Sequence, residues 1–172
     1  PVRSEAETTS HFVESFIRFV LGLWRRSLAD GTLLTKADKG LSDTMRAVYL
    51  SEGPLKETEE MLAPLIQQIA MGEVDAEILS HLDAMCTKSA EKEYKEALNS
   101  YVNLTVGKKK WNNAVFFGEA KHNKGFNARR VKRDEANKFD SDETVQKYVQ
   151  GLRRIMNCAQ LLLPNEDISK HM

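Results

Sequence analysis

The stretch Ser141–Leu163, SDETVQKYVQGLRRIMNCAQLLL, decides the fold. Val145, Tyr148, Val149, Leu152, Ile155, Met156, Ala159 and Leu163 recur at steps of three and four, which gathers them on one face of a helix. Asp140 and Glu143 fit the acid-rich opening of a capping box, and Pro164 stops the pattern. Gly151 sits inside it. A glycine there costs about 1 kcal/mol relative to alanine, so its presence reads as the mark of a close helix–helix approach. A face this long must be covered, so the chain is expected to be an all-α bundle.

Working outward, other segments repeat the same period. Phe12, Phe16, Phe19, Val20, Leu23 and Trp24 predict a helix over about Ser10–Ala29, capped by Ser10 or Thr9 and stopped at Asp30-Gly31. Leu41, Met45, Val48 and Tyr49 predict a second over roughly Lys36–Ser51. A break at Glu52-Gly53-Pro54 precedes a third, with Leu55, Met61, Leu62, Leu65, Ile66 and Ile69. Pro64 within it predicts a bend or a later start. From Asp75, Ile78, Leu79, Leu82, Met85 and Cys86 begin a phase that continues through Ala90, Tyr94, Ala97, Leu98, Tyr101 and Val102 to Gly107. One long helix and a break near Ser89 both fit. Residues 101–106 alternate with period two, but the upstream phase favours helix. The expectation is a single bundle of five or six helices over 10–164, with a flexible end at 1–9 and a tail at 165–172.

Composition bounds the class. The chain has 172 residues, 41% hydrophobic and 29% charged, which is ordinary for a globular domain and unlike a disordered or disulfide-scaffold chain. Its two cysteines, Cys86 and Cys158, fall on apolar stripes and suit a reducing compartment. The longest uncharged apolar run, Phe19–Trp24, is far short of the ~20 residues of a membrane span. No signal-peptide pattern opens the chain, and a start at Pro1 reads as a processed or excised piece.

The zero formal net charge conceals a split. Residues 107–139 carry ten Lys or Arg against three acids, +7. The remainder has fifteen cations against twenty-two acids, −7. This segment lacks clear periodicity and is expected to be a long basic loop before the last helix. It mixes its cations with Trp111, Phe116, Phe117, Phe126 and Phe139. Cations neutralise phosphates and aromatic faces stack on unpaired bases, so RNA contact is one reading. A solvated basic linker, a nuclear-import signal at Arg129-Arg130-Val131-Lys132-Arg133, or a tether for an acidic protein are the others.

Catalytic signals are weak. His11, His81, His122 and His171 show no ligand spacing, and there is no phosphate-binding loop, dinucleotide fingerprint or nucleophile elbow. The sequence is therefore read as a non-enzyme without metal or cofactor.

Four stretches together resemble the C-terminal domain of the pre-mRNA-splicing factor 18 family. They are Leu62-Ala63-Pro64-Leu65; Glu93-Tyr94 with Ala97, Tyr101, Leu104 and Gly107; Trp111; and Asp142-Glu143-Thr144 with Lys147-Tyr148, Gln150-Gly151-Leu152 and Arg154. The last run is the most distinctive. Asn112 and Ala114 stand where the family's loop has proline and glycine, while Trp111 and Val115 agree with it. The resemblance implies an all-α domain with a long loop before its last helix, acting without catalysis in the second step of splicing in the nucleus. It also implies a loop reaching RNA near the 3′ splice site beside a large core scaffold protein, and a helical body that holds partners including a zinc-knuckle second-step factor. On that basis Lys108, Lys109, Lys110, Trp111, Val115, Arg129, Arg130, Lys132 and Arg133 are the expected contacts to RNA or scaffold. Tyr94, Tyr101, Gly107, Asp142, Glu143, Thr144, Tyr148, Gln150, Gly151, Leu152 and Arg154 are the expected structural signature. The rival reading is a helical protein-binding adaptor whose basic arm serves import or an acidic partner.

Overall fold

The structure, a computed structural model, describes residues 4, 7–37, 40–106 and 130–172; at Ala37 and residues 130–142 it describes the backbone alone. Seven α-helices and no strand stand among those residues. They are α1 Thr9–Ala29, α2 Thr32–Ala37, α3 Asp43–Tyr49, α4 Glu52–Ala70, α5 Ala76–Ala90, α6 Tyr94–Val106 and α7 Arg130–Leu162, followed by a 3-10 turn at Ile168–Lys170. The all-α reading holds.

Helix α1 is the hub. It packs against α2, α4, α5 and α7. Its buried set therefore broadens beyond one stripe, to Phe12, Val13, Phe16, Ile17, Val20, Leu21 and Trp24. The cap is Thr8, not Thr9 or Ser10. Its backbone is extended and its hydroxyl accepts from the His11 N–H at 3.3 Å, whereas Thr9 and Ser10 are already helical.

The expected second helix is two short ones. Gly40, at φ +103°, holds a left-handed conformation that ends any continuous helix there. Ser42 then caps α3 by accepting from the Met45 N–H. The indole of Trp24 ties α3 to the hub: its N–H donates to the Tyr49 carbonyl at 3.0 Å, and the two rings lie 5.2 Å apart.

Helix α4 starts at Glu52 and runs unbroken through Pro64, so the later start is excluded. Pro54 sits in the first turn, where its missing N–H has no helical acceptor anyway. Pro64 is exposed, so the backbone bond it cannot make falls on the solvent side of α4.

The long phase from Asp75 to Val106 breaks after Ala90, giving the hairpin of α5 and α6. Lys92, at φ +62°, turns the chain between them. Residues 101–106 are helical.

Helix α7 begins at Arg130, eleven residues before the expected start at Ser141. No glycine or proline interrupts the sequence from Asn127 to Gln150, and Arg, Lys, Glu and Ala are good helix formers. Asp140 and Glu143 accordingly lie inside the helix and form no capping box. The apolar stripe of α7 is buried as read: Val145, Tyr148, Leu152, Ile155, Met156 and Ala159 all belong to the core, joined by Cys158 and Leu162.

Candidate functional site

The basic segment follows α6, and its last ten residues, 130–139, belong to α7 rather than to the loop expected over 107–139, so its placement depends on how those helices are held. Lys108, Lys109, Lys110, Trp111, Val115, Arg129 and Gly107 lie outside the described residues. Arg130, Lys132 and Arg133 belong to the first turn of α7, and Asp142 to its interior, each described by its backbone only.

Four of the expected signature residues, Tyr94, Tyr101, Gly151 and Arg154, form joints between α7 and its neighbours. Tyr94 opens α6 fully buried, and its hydroxyl lies within bonding distance of the carbonyls of Ala159, at 3.1 Å, and Leu163, at 2.5 Å. The last carbonyls of a helix have no partner within it. Tyr94 supplies one from across the bundle, and Lys36 of α2 supplies another by donating to the Leu162 carbonyl at 2.6 Å. Nearly three helical turns earlier in α7, the Tyr101 hydroxyl donates to the Val149 carbonyl at 3.1 Å. Burial raises the hydroxyl pKa of both tyrosines, and the Arg153 charge opposes the shift at Tyr101. Tyr148 and Leu152 fill the core beneath, and burial pushes the Tyr148 hydroxyl up to about 12.

On its other side α7 meets α4. A β-carbon added to Gly151 would stand 2.8 Å from Cγ and Cδ2 of Leu62, which is itself fully buried. The glycine therefore permits the close approach read from the sequence. Three residues on, Arg154 donates to the Glu57 carboxylate at 2.7 Å and to the Thr58 hydroxyl at 3.1 Å. Thr58, wholly buried, donates in turn to the Pro54 carbonyl at 2.7 Å. Nothing in the spacing of Glu57 and Thr58 identified them as the partners of Arg154, because they lie 97 and 96 residues before it in the chain. At the helix surface Glu143 and Lys147 pair at 3.3 Å, one turn apart, and Thr144 is half-buried beside them.

Between α6 and α7 an open cleft of about 360 Å³ is lined by Tyr101, Gln146, Val149, Gln150, Arg153 and Arg154. The Arg153 guanidinium lies 5.7 Å from the centre of the Tyr101 ring, within range of a cation–π contact. Among the described residues no three His, Cys, Asp or Glu side chains are grouped to hold a metal. None of the helices among them is long and apolar enough to cross a membrane.

The architecture is thus an all-α bundle with a cationic insertion ahead of a closing helix that is pinned on two sides. Residues 14–165 match the Prp18 domain, and the chain belongs to that family. Among curated proteins it is similar to pre-mRNA-splicing factor 18 of Bos taurus, 25% identical over 159 residues, and to that of Rattus norvegicus, 26% identical over 160. The Danio rerio protein of the same name is 25% identical over 158 residues. Each match covers 90% of this chain and 42% of the relative, so the chain spans about two fifths of the length of these relatives. No solved structure matches it.

Proposed function

We propose that this chain is the helical domain of a nuclear pre-mRNA splicing factor, acting without catalysis in the second step, when the 3′ splice site is docked and the exons are joined. Membership of the Prp18 domain family and the name shared by its relatives support the splicing role. The observation that carries the finer reading is charge segregation: +7 gathered in residues 107–139, against −7 over the rest of the chain.

In this reading Trp111 anchors the base of the segment, and Val115 is a further contact to RNA or scaffold. Lys108, Lys109, Lys110, Arg129, Arg130, Lys132 and Arg133 contact phosphate, or acidic scaffold surface, next to the 3′ splice site. Phosphate contacts of this kind hold position without reading sequence. Arg130, Lys132 and Arg133 occupy the first turn of α7, where the positive end of the helix adds to their own charge and favours an anion. The joints at Tyr94, Tyr101, Gly151 and Arg154 support the reading by giving the segment a rigid base. The helical body holds protein partners, among them a zinc-knuckle second-step factor.

The test replaces residues 108–129 with a Gly-Ser linker of equal length. The melting temperature is expected to stay nearly unchanged while extract depleted of the native factor, and supplied with this variant, stalls between the two steps of splicing. Normal exon ligation in that extract rejects the second-step role. Alanine at Arg129, Arg130, Lys132 and Arg133 separates the adaptor reading: lost nuclear entry with splicing restored by an appended import signal favours it.

A further inference from the structure

We propose that the α6–α7 cleft is a docking site for a segment of a partner protein that presents a bulky apolar side chain beside a carboxylate. The cleft uses no residue of the basic segment, so it stands or falls separately from the role proposed for that segment.

Its chemistry is mixed in a specific way. Tyr101 and Val149 form an apolar wall, and the hydroxyl bond from Tyr101 to the Val149 carbonyl holds the ring in place before anything binds. Val102 and Val106, further along α6, are 47% and 80% exposed. At 3.6 residues per turn these valines stand about 100° and 140° round α6 from Tyr101, on the flank next to the cleft rather than in its lining. Two large exposed valines beside a preformed cleft are apolar area that a contact would remove from water.

The rim supplies orientation. Gln146 and Gln150, one turn apart on α7, present exposed amides. Arg154 has its carboxylate in Glu57. Arg153 has none among the described residues: its guanidinium rests on the Tyr101 ring. Among the described residues no acidic side chain lines the cleft. An arginine left without an anion, half-buried against an aromatic ring, is the complement of a carboxylate on the incoming chain. RNA fits this surface less well. A nucleic-acid strand needs a run of cations along its phosphates, whereas the cleft offers, among the described residues, one arginine without a carboxylate and an apolar wall of Tyr101 and Val149. A volume of about 360 Å³ admits one large side chain and its neighbours.

The experiment selects twelve-residue peptides from a random display library on the full chain, with counter-selection on the Arg153→Glu variant. Enriched peptides are expected to place Asp or Glu next to Phe, Leu, Ile or Trp. By fluorescence anisotropy they should bind the full chain about tenfold or more tightly than either Arg153→Glu or Val102→Asp. Changing the peptide carboxylate to lysine should restore binding to Arg153→Glu. Val102 is exposed, so the second variant reads the apolar flank beside the cleft with little risk to the fold. The proposal is overturned if enriched peptides lack an acid, if binding is equal on both variants, or if single-stranded oligouridine displaces the peptides.

Discussion

Buried polar side chains do two different jobs in this chain. Tyr94 and Tyr101 place a hydroxyl against the backbone of α7, so each bond joins α6 to α7 at a fixed register. Cys86 and Cys158, by contrast, are fully buried without a disulfide and act as small apolar fillers. Burial raises both thiol pKa values strongly, with Asp83 adding to the effect at Cys86. An unfolded cysteine titrates at about 8.5. Below that pH both states keep their thiol protons; above it the unfolded chain loses them while the folded chain does not. Stability should therefore be full near pH 7 and fall as the pH rises past about 8.5. Tyr49 and Tyr148, whose hydroxyls burial pushes up to about 12, add to the loss only above about pH 10. Urea titrations at rising pH check this, with the Cys86→Ala/Cys158→Ala variant as the comparison. It should be less stable at neutral pH because of the space it opens, yet lose less between pH 8 and 10. Equal slopes for the two proteins would refute the thiol account.

At the scale of the element, α7 organises the bundle, and Gly151 sets how closely it meets α4. Alanine there gains up to about 1 kcal/mol of helix propensity. Its β-carbon would also drive into Leu62, a buried side chain with little room to move, and overpacking of this kind costs about 1–3 kcal/mol. The clash should win. Gly151→Ala is expected to lower the melting temperature by about 3 °C, for a net loss near 1 kcal/mol. Combining it with Leu62→Ala should cost less than the two changes summed, because the smaller residue leaves space for the added methyl. A melting temperature that rises in Gly151→Ala would show that the helices can separate cheaply. This close approach was legible in the sequence because a glycine inside a strong apolar stripe needs a reason. The start of α7 was not. The acids at Asp140 and Glu143 resemble a cap locally, yet a helix already running from Arg130 passes through them. The helix expected over 36–51 was likewise misread across Gly40, whose left-handed backbone depends on how α2 and α3 pack on α1 and α4.

Across the whole molecule, α1 packs against α2, α4, α5 and α7 and is tied to α3 through Trp24, so loss of packing at any of these helices exposes the hub. Trp24 reports on that hub: it is fully buried and bonded to Tyr49. Trp111 is the other tryptophan of the chain. In a Trp111→Phe variant, Trp24 fluorescence and far-UV circular dichroism should therefore unfold with one midpoint in urea, as a two-state domain requires. Separate midpoints would divide the bundle into independent units.

The helical class, most of the core and the confinement of positive charge to one segment follow from the sequence by itself. Helical period and charge count are local properties, carried by residues near one another in the chain. Tertiary structure alone decided that Arg154 reaches Glu57 and Thr58, that Leu33 is sealed while Leu34 is not, and that Arg153 lies over Tyr101 above an open cleft. Each of those depends on which distant helix face arrives opposite, and no periodicity along the chain encodes the partner.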